Sequence, residues 1–189
     1  LIRAIATIGG YTGLSRIFGL VRESLMSHIL GATPLTDAFL VAFKFPNFFR
    51  RFFAEGAFNA SFVPQFSGQL ASEGKQAAKL LAERVMAVLI TVLLIFVIFI
   101  VVATPWVMGV IAPGFSTTPE RLEMAITFTR ITFPYILFIS VAALLSGVLN
   151  SLDRFAAAAA APIILNIIMI AAMLWFSYAD LATGKALSW

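Results

Sequence analysis

The stretch VMAVLITVLLIFVIFIVVATPWVMGVI, residues 85–111, contains no charged side chain. About 20 apolar residues are enough for one helix to cross the hydrocarbon core of a membrane. The rest of the chain has the same character: 61% of its 189 residues are hydrophobic and 12% are charged, against roughly 45–50% and 25% in soluble domains. We therefore predict an all-α fold, a polytopic membrane helix bundle.

Five transmembrane helices fit the hydropathy pattern around this stretch. Their approximate ranges are 4–30, 35–66, 85–111, 122–150 and 156–178. We expect the first helix to end at Gly31, and the second to open at Thr36 and Asp37 and to be interrupted by Pro46. The polar linker 67–84 has the Ala, Leu, Lys and Glu content of an interfacial helix.

The distribution of basic residues predicts the orientation of the helices. With a cytoplasmic N-terminus, the inside segments contain five basic residues: Arg3, Lys75, Lys79, Arg84 and Arg154. The outside segments contain two, Arg121 and Lys185. We therefore expect the N-terminus and the 67–84 linker to lie in the cytoplasm.

Several function classes find no support in the sequence. The chain has no Cys and a single His, His28, so we predict neither a metal site nor a cofactor. It shows no Ser/His/Asp set and no pair of catalytic carboxylates, so we do not predict an enzyme. The net charge of +4 lies mostly within or beside apolar segments, which argues against a surface for nucleic acid.

The second predicted helix contains FKFPNFFRRFFAEGAF, residues 43–58, where charges stand among phenylalanines. A charge at the centre of a bilayer costs roughly 2.5–3.5 kcal/mol on insertion scales. At 100° per residue, four charged residues fall within about 40° of one another. They are Asp37, Lys44, Arg51 and Glu55. Such a stripe is typical of a helix that faces a bundle interior or a wet cavity.

A straight helix does not place the remaining polar residues of the two charged helices on one face. On the second helix, Asn47 lies about 60° and Arg50 about 120° from Lys44, but a kink at Pro46 would change this register. On the first helix, Arg16 and Glu23 share a face, and Arg22 lies about 120° from Arg16.

Residues 14–58 contain five basic and three acidic side chains, so ion pairing alone cannot neutralise them. The excess of two positive charges, mostly arginine, suits a doubly anionic ligand such as a pyrophosphate. The alternative is that these charges pair only for packing, or extend to the lipid headgroups as arginines near span ends do. For Arg130, which is isolated in the fourth helix, both interpretations stay open.

Several segments together resemble one family of membrane proteins. They are SRIFGLVRE (15–23), GATPLTDAFLVAFKFPNFFRRFFAEGAFNASFVP (31–64), APGF (112–115), ITFPYILFIS (131–140) and LNSLDRF (149–155). The chain is similar through these segments to the MurJ/MviN family, the lipid II flippases of bacterial cell-wall synthesis. This family lies within the multidrug/oligosaccharidyl-lipid/polysaccharide exporter superfamily.

The resemblance implies a two-lobed transporter around a central cationic cavity in the bacterial inner membrane. Residues 1–189 would form most of the N-terminal lobe, incomplete, with further transmembrane helices and membrane lipids as partners. The substrate would be lipid II, an undecaprenyl-pyrophosphate-linked disaccharide pentapeptide, moved to the outer leaflet by alternating access.

The family motifs carry over to individual positions of this chain. They match most clearly Arg16, Arg22 and Arg50 as cavity arginines, with Asp37 as a functional acid nearby. The full candidate set for the pyrophosphate is Arg16, Arg22, Lys44, Asn47, Arg50 and Arg51. The candidates for charge pairing or coupling are Glu23, Asp37 and Glu55, and Pro46 is the candidate hinge. Other exporters of the superfamily and a non-transporting membrane scaffold remain alternatives.

Overall fold

The computed structural model describes residues 2–31, 33–50, 57–115 and 118–182, and within these ranges every regular element is a helix. The helices are α1 (Ile2–Leu30), α2 (Pro34–Arg50), α3 (Ala57–Ser72), α4 (Lys75–Ile111), α5 (Pro119–Thr132), α6 (Tyr135–Ser151) and α7 (Phe155–Ala182). A short 3₁₀ helix, Pro113–Phe115, follows α4. The prediction of an all-α membrane helix bundle is confirmed.

The boundary between α1 and α2 follows from local backbone chemistry. Gly31 has a φ of 59°, the left-handed conformation in which glycine commonly ends helices. Its N–H donates to the carbonyl of Ser27 over 3.1 Å. The Thr33 hydroxyl accepts a hydrogen bond from the Thr36 N–H at 3.3 Å, so Thr33 caps α2. The helix therefore opens at Pro34, two residues before the predicted start at Thr36 and Asp37.

The predicted interfacial helix at 67–84 does not exist as a separate element. Its residues complete α3 and begin α4, with a tight turn at Glu73 and Gly74. Gly74 reverses the chain with a φ of 85°, which glycine adopts without the steric cost of a Cβ. Strong helix formers on both sides of this turn let the two helices continue through the polar stretch.

The fourth predicted span, 122–150, consists of two helices, α5 and α6, separated by a turn at Phe133 and Pro134. The N–H groups of Ile136 and Leu137 donate to carbonyls three residues back, at 3.1 Å each. Pro134 has no N–H and cannot continue the i to i−4 pattern. Four other prolines lie inside helices without ending them: Pro46, Pro64, Pro105 and Pro162. A proline alone therefore does not predict where a helix breaks in this chain.

Three stretches of the described chain are long and apolar enough to cross a membrane. They are Lys75–Ile111, Pro119–Ser151 and Phe155–Tyr178. These stretches contain the third, fourth and fifth predicted spans. Within the described residues, no such stretch falls in the spans predicted at 4–30 and 35–66, which stay predictions.

The helices fall into two compact units, one made of α1 and α7 and the other of α2 to α6. In the second unit, α4 contributes to every core cluster through one stripe of buried residues. That stripe consists of Leu89, Leu93, Val97, Ile100, Thr104 and Met108. Its members are three or four residues apart, which is the spacing of one helix face. The intervening side chains of α4, such as Val88, Ile95 and Val102, are exposed and suited to lipid.

Phenylalanines from several helices meet around Phe133, which is fully buried at the turn between α5 and α6. Its ring centroid lies 5.3 Å from Phe45, 6.2 Å from Phe49 and 5.7 Å from Phe96. Aromatic pairs at such distances contribute about 0.5–1.5 kcal/mol beyond the area that they bury. Phe45 and Phe49 of α2 thus hold that helix against the core of the second unit.

Candidate functional site

The charged face of α2 points away from the core of its unit. Asp37 and Lys44 are exposed, whereas Ala38, Ala42 and Pro46, on the other side of the helix, are buried. Among the described residues, no hydrogen bond or ion pair involves the side chain of Asp37 or Lys44. The Asp37–Lys44 part of the predicted stripe is therefore available to groups outside this unit.

Phe48 shares this exposed face and is itself 57% exposed. Asn47 is half-buried beside it. The phenylalanines of α2 therefore divide between the two sides of the helix: Phe45 and Phe49 pack in the core, and Phe48 lies next to the charges. The face available to a ligand or to another helix is thus polar and apolar at once.

Other members of the predicted set lie partly or wholly outside the described residues. Arg50 is the last residue of α2, and its side chain is not described. Arg51 and Glu55 lie in the segment 51–56, which is outside the described residues. The helix continues through Pro46 as far as Arg50. The assignment of Pro46 as a hinge and of Arg50 over Arg51 stays a prediction.

The second candidate arginine of α1, Arg22, is held against α7 in the first unit. Its Nη1 donates a hydrogen bond to Oδ1 of Asn166 at 3.1 Å and lies 3.9 Å from the sulfur of Met169. Its Nη2 lies 3.9 Å from a carboxylate oxygen of Glu23, an ion pair rather than a hydrogen bond. The Arg22 side chain keeps 27% of its surface exposed. Arg22 is thus anchored through Nη1, and its side chain stays partly exposed.

Arg16 and Glu23 differ from Arg22 in their surroundings. The Glu23 side chain is 68% exposed. Arg16 is also exposed, and in the part of the chain that the structure describes its side chain forms no hydrogen bond or ion pair. Of the α1 candidates, the structure brings only Arg22 and Glu23 within ion-pair distance of each other.

Asn166 is a candidate site residue that the sequence patterns did not identify. It is 7% exposed, and its Nδ2 donates to the backbone carbonyl of Ser15 at 3.1 Å. A Cβ built on Gly19 would lie 3.8 Å from this nitrogen, in ordinary contact. The available signal was one amide within the apolar run IILNIIMI, residues 163–170. A polar side chain inside a span is rare and usually has a partner.

Arg130 has different contacts from the arginines of α1. Its Nε donates to the carbonyl of Val101 at 3.3 Å. In a regular helix this carbonyl would accept the N–H of residue 105, but that residue is Pro105. Arg130 therefore supplies the donor that α4 lacks at this position. The structure favours a local structural role for Arg130 over extension to the headgroups.

No group of three or more His, Cys, Asp or Glu side chains that could hold a metal ion occurs within the described ranges. The chemistry at hand is instead that of arginine and lysine cations on helices α1 and α2. Guanidinium groups bind phosphate oxygens through charge-assisted hydrogen bonds, often two at a time. These side chains are therefore suited to an anionic ligand.

The helices and their charges together define a polytopic α-helical membrane protein. Its candidate cationic side chains lie on α1 and α2. Comparison with known proteins then identifies the family. A family profile described as "Lipid II flippase MurJ" matches residues 26–188. The chain belongs to the MurJ family, as its sequence motifs predicted.

Two relatives illustrate the extent of the similarity. The chain is 47% identical over 193 residues to a probable lipid II flippase MurJ of Rhizobium meliloti (strain 1021), with 100% of the chain and 36% of the relative covered. It is 40% identical over 189 residues to a lipid II flippase MurJ of Burkholderia cenocepacia, with 100% of the chain and 37% of the relative covered. The chain thus spans a little over a third of the length of these relatives. Its family and apolar helices together support a multi-pass protein of the bacterial inner membrane.

Proposed function

We propose that this chain belongs to a flippase that moves lipid II from the inner to the outer leaflet of the bacterial inner membrane. In this proposal its part is to present cations to the pyrophosphate of the lipid during alternating access. The protein transports its ligand and does not change it chemically. Membrane lipids and further transmembrane helices would complete the pathway.

The observation that carries this proposal is how the Arg22 side chain is bound and exposed. Its guanidinium is tied to Asn166 at Nη1 and still partly exposed. An arginine whose only role was internal pairing would be expected to bury its charge against a carboxylate. Among the described residues, the carboxylate within ion-pair distance is that of Glu23, which instead lies 3.9 Å away and is itself largely exposed. This arrangement supports a cation that is available to a ligand.

A binding comparison tests the proposal directly. A full-length family protein carrying this segment should bind lipid II more tightly than undecaprenol, an uncharged lipid with the same tail. A hydrogen bond to a charged group contributes about 1.5–3 kcal/mol, so Arg22→Ala and Arg50→Ala should each weaken lipid II binding about tenfold or more. Native mass spectrometry or a fluorescence titration measures these affinities. Arg84→Ala, at an exposed basic position of α4, is the matched control and should bind like the parent.

The same titration distinguishes the alternatives. Equal affinity for lipid II and undecaprenol in the parent and in both arginine variants would support a membrane scaffold and reject the flippase. A preference for undecaprenyl pyrophosphate as strong as that for lipid II would indicate a carrier of other pyrophosphate-linked lipids. The preference should weaken with added salt, because salt screens charges in a wet cavity.

The proposal also includes an orientation, with the N-terminus and the α3–α4 turn in the cytoplasm. The chain has no cysteine, so single cysteines can report the side of the membrane. Glu73 and Glu120 are exposed positions near the two ends of α4. A membrane-impermeant thiol reagent applied to intact cells should label Glu120→Cys and spare Glu73→Cys. Labelling of Glu73→Cys alone would reverse the orientation, and permeabilised cells, in which both should react, are the control.

A further inference from the structure

The side chain of Asn166 joins α7 to two different points of α1. Its Nδ2 donates to the carbonyl of Ser15 and its Oδ1 accepts from Arg22, each at 3.1 Å. The two bonds also determine which way the amide is turned. A flipped amide would direct its NH₂ group at the guanidinium, which has donors and no acceptor. The carbonyl of Ser15 is therefore a fixed reference for the position of the Arg22 side chain.

The contacts of Arg22 are distributed unequally over its guanidinium. Asn166 and Met169 both lie at Nη1, at 3.1 and 3.9 Å. Within the described residues, the edge formed by Nε and Nη2 makes no hydrogen bond, and its nearest charge is Glu23 at 3.9 Å. Two parallel N–H groups on one edge are what a guanidinium uses to bind two oxygens of one phosphate. The free edge is thus the one suited to a bidentate anion.

The chemistry of the amide matters as well as its position. A carboxylate in its place would also accept from Nη1, but it would neutralise the cation that an anionic ligand needs. An amide orients the guanidinium and leaves its charge in place. Since Asn166 is almost fully buried at 7% exposure, it would act through Arg22 and not by touching the ligand.

We propose that Asn166 is a positioning residue, which holds Arg22 at Nη1 so that its Nε–Nη2 edge meets a lipid-linked pyrophosphate. This inference rests on the proposed function and adds to it a residue on α7 that determines the affinity for the charged headgroup. It predicts that Asn166 matters only while Arg22 is present.

A double-mutant cycle in a full-length family protein carrying this segment tests the proposal. The probes are lipid II and undecaprenol, titrated against the parent, Asn166→Leu, Arg22→Ala and the double variant. Asn166→Leu keeps the size of the side chain and removes both hydrogen bonds. We expect it to weaken lipid II binding about three- to tenfold and to leave undecaprenol binding unchanged. In the Arg22→Ala background it should add no further loss, because residues that act through one another are not additive.

Two further variants keep the test decisive. Gly19→Ala places a methyl group beside Asn166 without removing either bond, and it should bind both lipids like the parent. Asn166→Asp retains an acceptor for Nη1 and cancels the charge, so lipid II binding should fall at least as far as in Asn166→Leu. If Asn166→Leu folds poorly, the lipid II affinity of Asn166→Asp is compared with that of the parent instead.

The outcomes separate this inference from the proposed function. A parent that prefers lipid II, with Asn166→Leu and Asn166→Asp equal to it, would overturn the positioning role and leave the flippase intact. Equal losses for lipid II and undecaprenol, or full additivity with Arg22→Ala, would show a merely structural residue. A parent without any preference for lipid II would instead overturn the proposed function, and the positioning role with it.

Discussion

Consider a full-length family protein that carries this segment, expressed in cells depleted of their own lipid II flippase. We expect that the Arg22→Ala variant of this protein no longer supports growth of these cells. The amount of protein in the membrane should stay close to that of the parent. The expected loss is large because hydrogen bonds to a charged group contribute about 1.5–3 kcal/mol, which is about one to two orders of magnitude in affinity. Colony counts after depletion, with immunoblots of membrane fractions, measure both quantities.

Lysine at the same position should restore growth only in part. Lysine keeps the positive charge but lacks the planar fork that binds two phosphate oxygens at once. It also cannot reproduce the geometry in which Asn166 binds Nη1 while Nε and Nη2 keep their N–H groups for a ligand. We expect the same order of effects, parent above lysine above alanine, at Arg16 and Arg50.

Two further variants, Arg84→Ala and Arg51→Ala, provide a control and a comparison for the same growth assay. Arg84 is an exposed residue near the start of α4, and its loss should leave growth unchanged. Arg51→Ala compares the residue favoured by an ideal helix with Arg50, which is favoured by the family motif. Growth like the parent in the alanine variants of Arg16, Arg22 and Arg50 would mean that these arginines are structural.

The second large effect is expected at Phe133, which is fully buried among three other phenylalanine rings. Phe→Ala substitutions in buried cores cost roughly 3–5 kcal/mol, through lost contacts and the cavity left behind. We expect the lower end of that range, about 3 kcal/mol, because lipid does not penalise exposed apolar surface as water does. The midpoint of thermal unfolding in detergent, followed by circular dichroism, should fall clearly for Phe133→Ala and less for Phe133→Leu.

Phe138→Ala is the matched control for this prediction. Phe138 lies in α6, a few residues after the turn, and its side chain is 70% exposed in the described structure. Its truncation removes the same ring and should shift the midpoint little. Equal shifts for Phe133→Ala and Phe138→Ala would show that the aromatic cluster does not stabilise the turn between α5 and α6.

Local patterns in the sequence were enough for the class of fold and the family. The uncharged run 85–111 and the overall composition predict membrane helices, because apolar length alone determines whether a helix can span. Charges placed within apolar helices are costly, so they mark candidate site residues wherever they occur. These signals depend on residues close together in the chain, and each can be evaluated without knowing what packs against it.

Tertiary packing decided three features that such patterns do not contain. Over residues 85–111 nearly every side chain of α4 is apolar, so no periodicity distinguishes the buried stripe through Leu93 and Val97 from the exposed face. The break in the fourth span falls at Pro134, where Phe133 is buried among rings from other helices, whereas α2 continues through Pro46. The bond between Arg22 and Asn166 joins residues 144 positions apart. Each feature depends on which distant helix lies alongside, and the free energy of that contact arises only when the helices have packed.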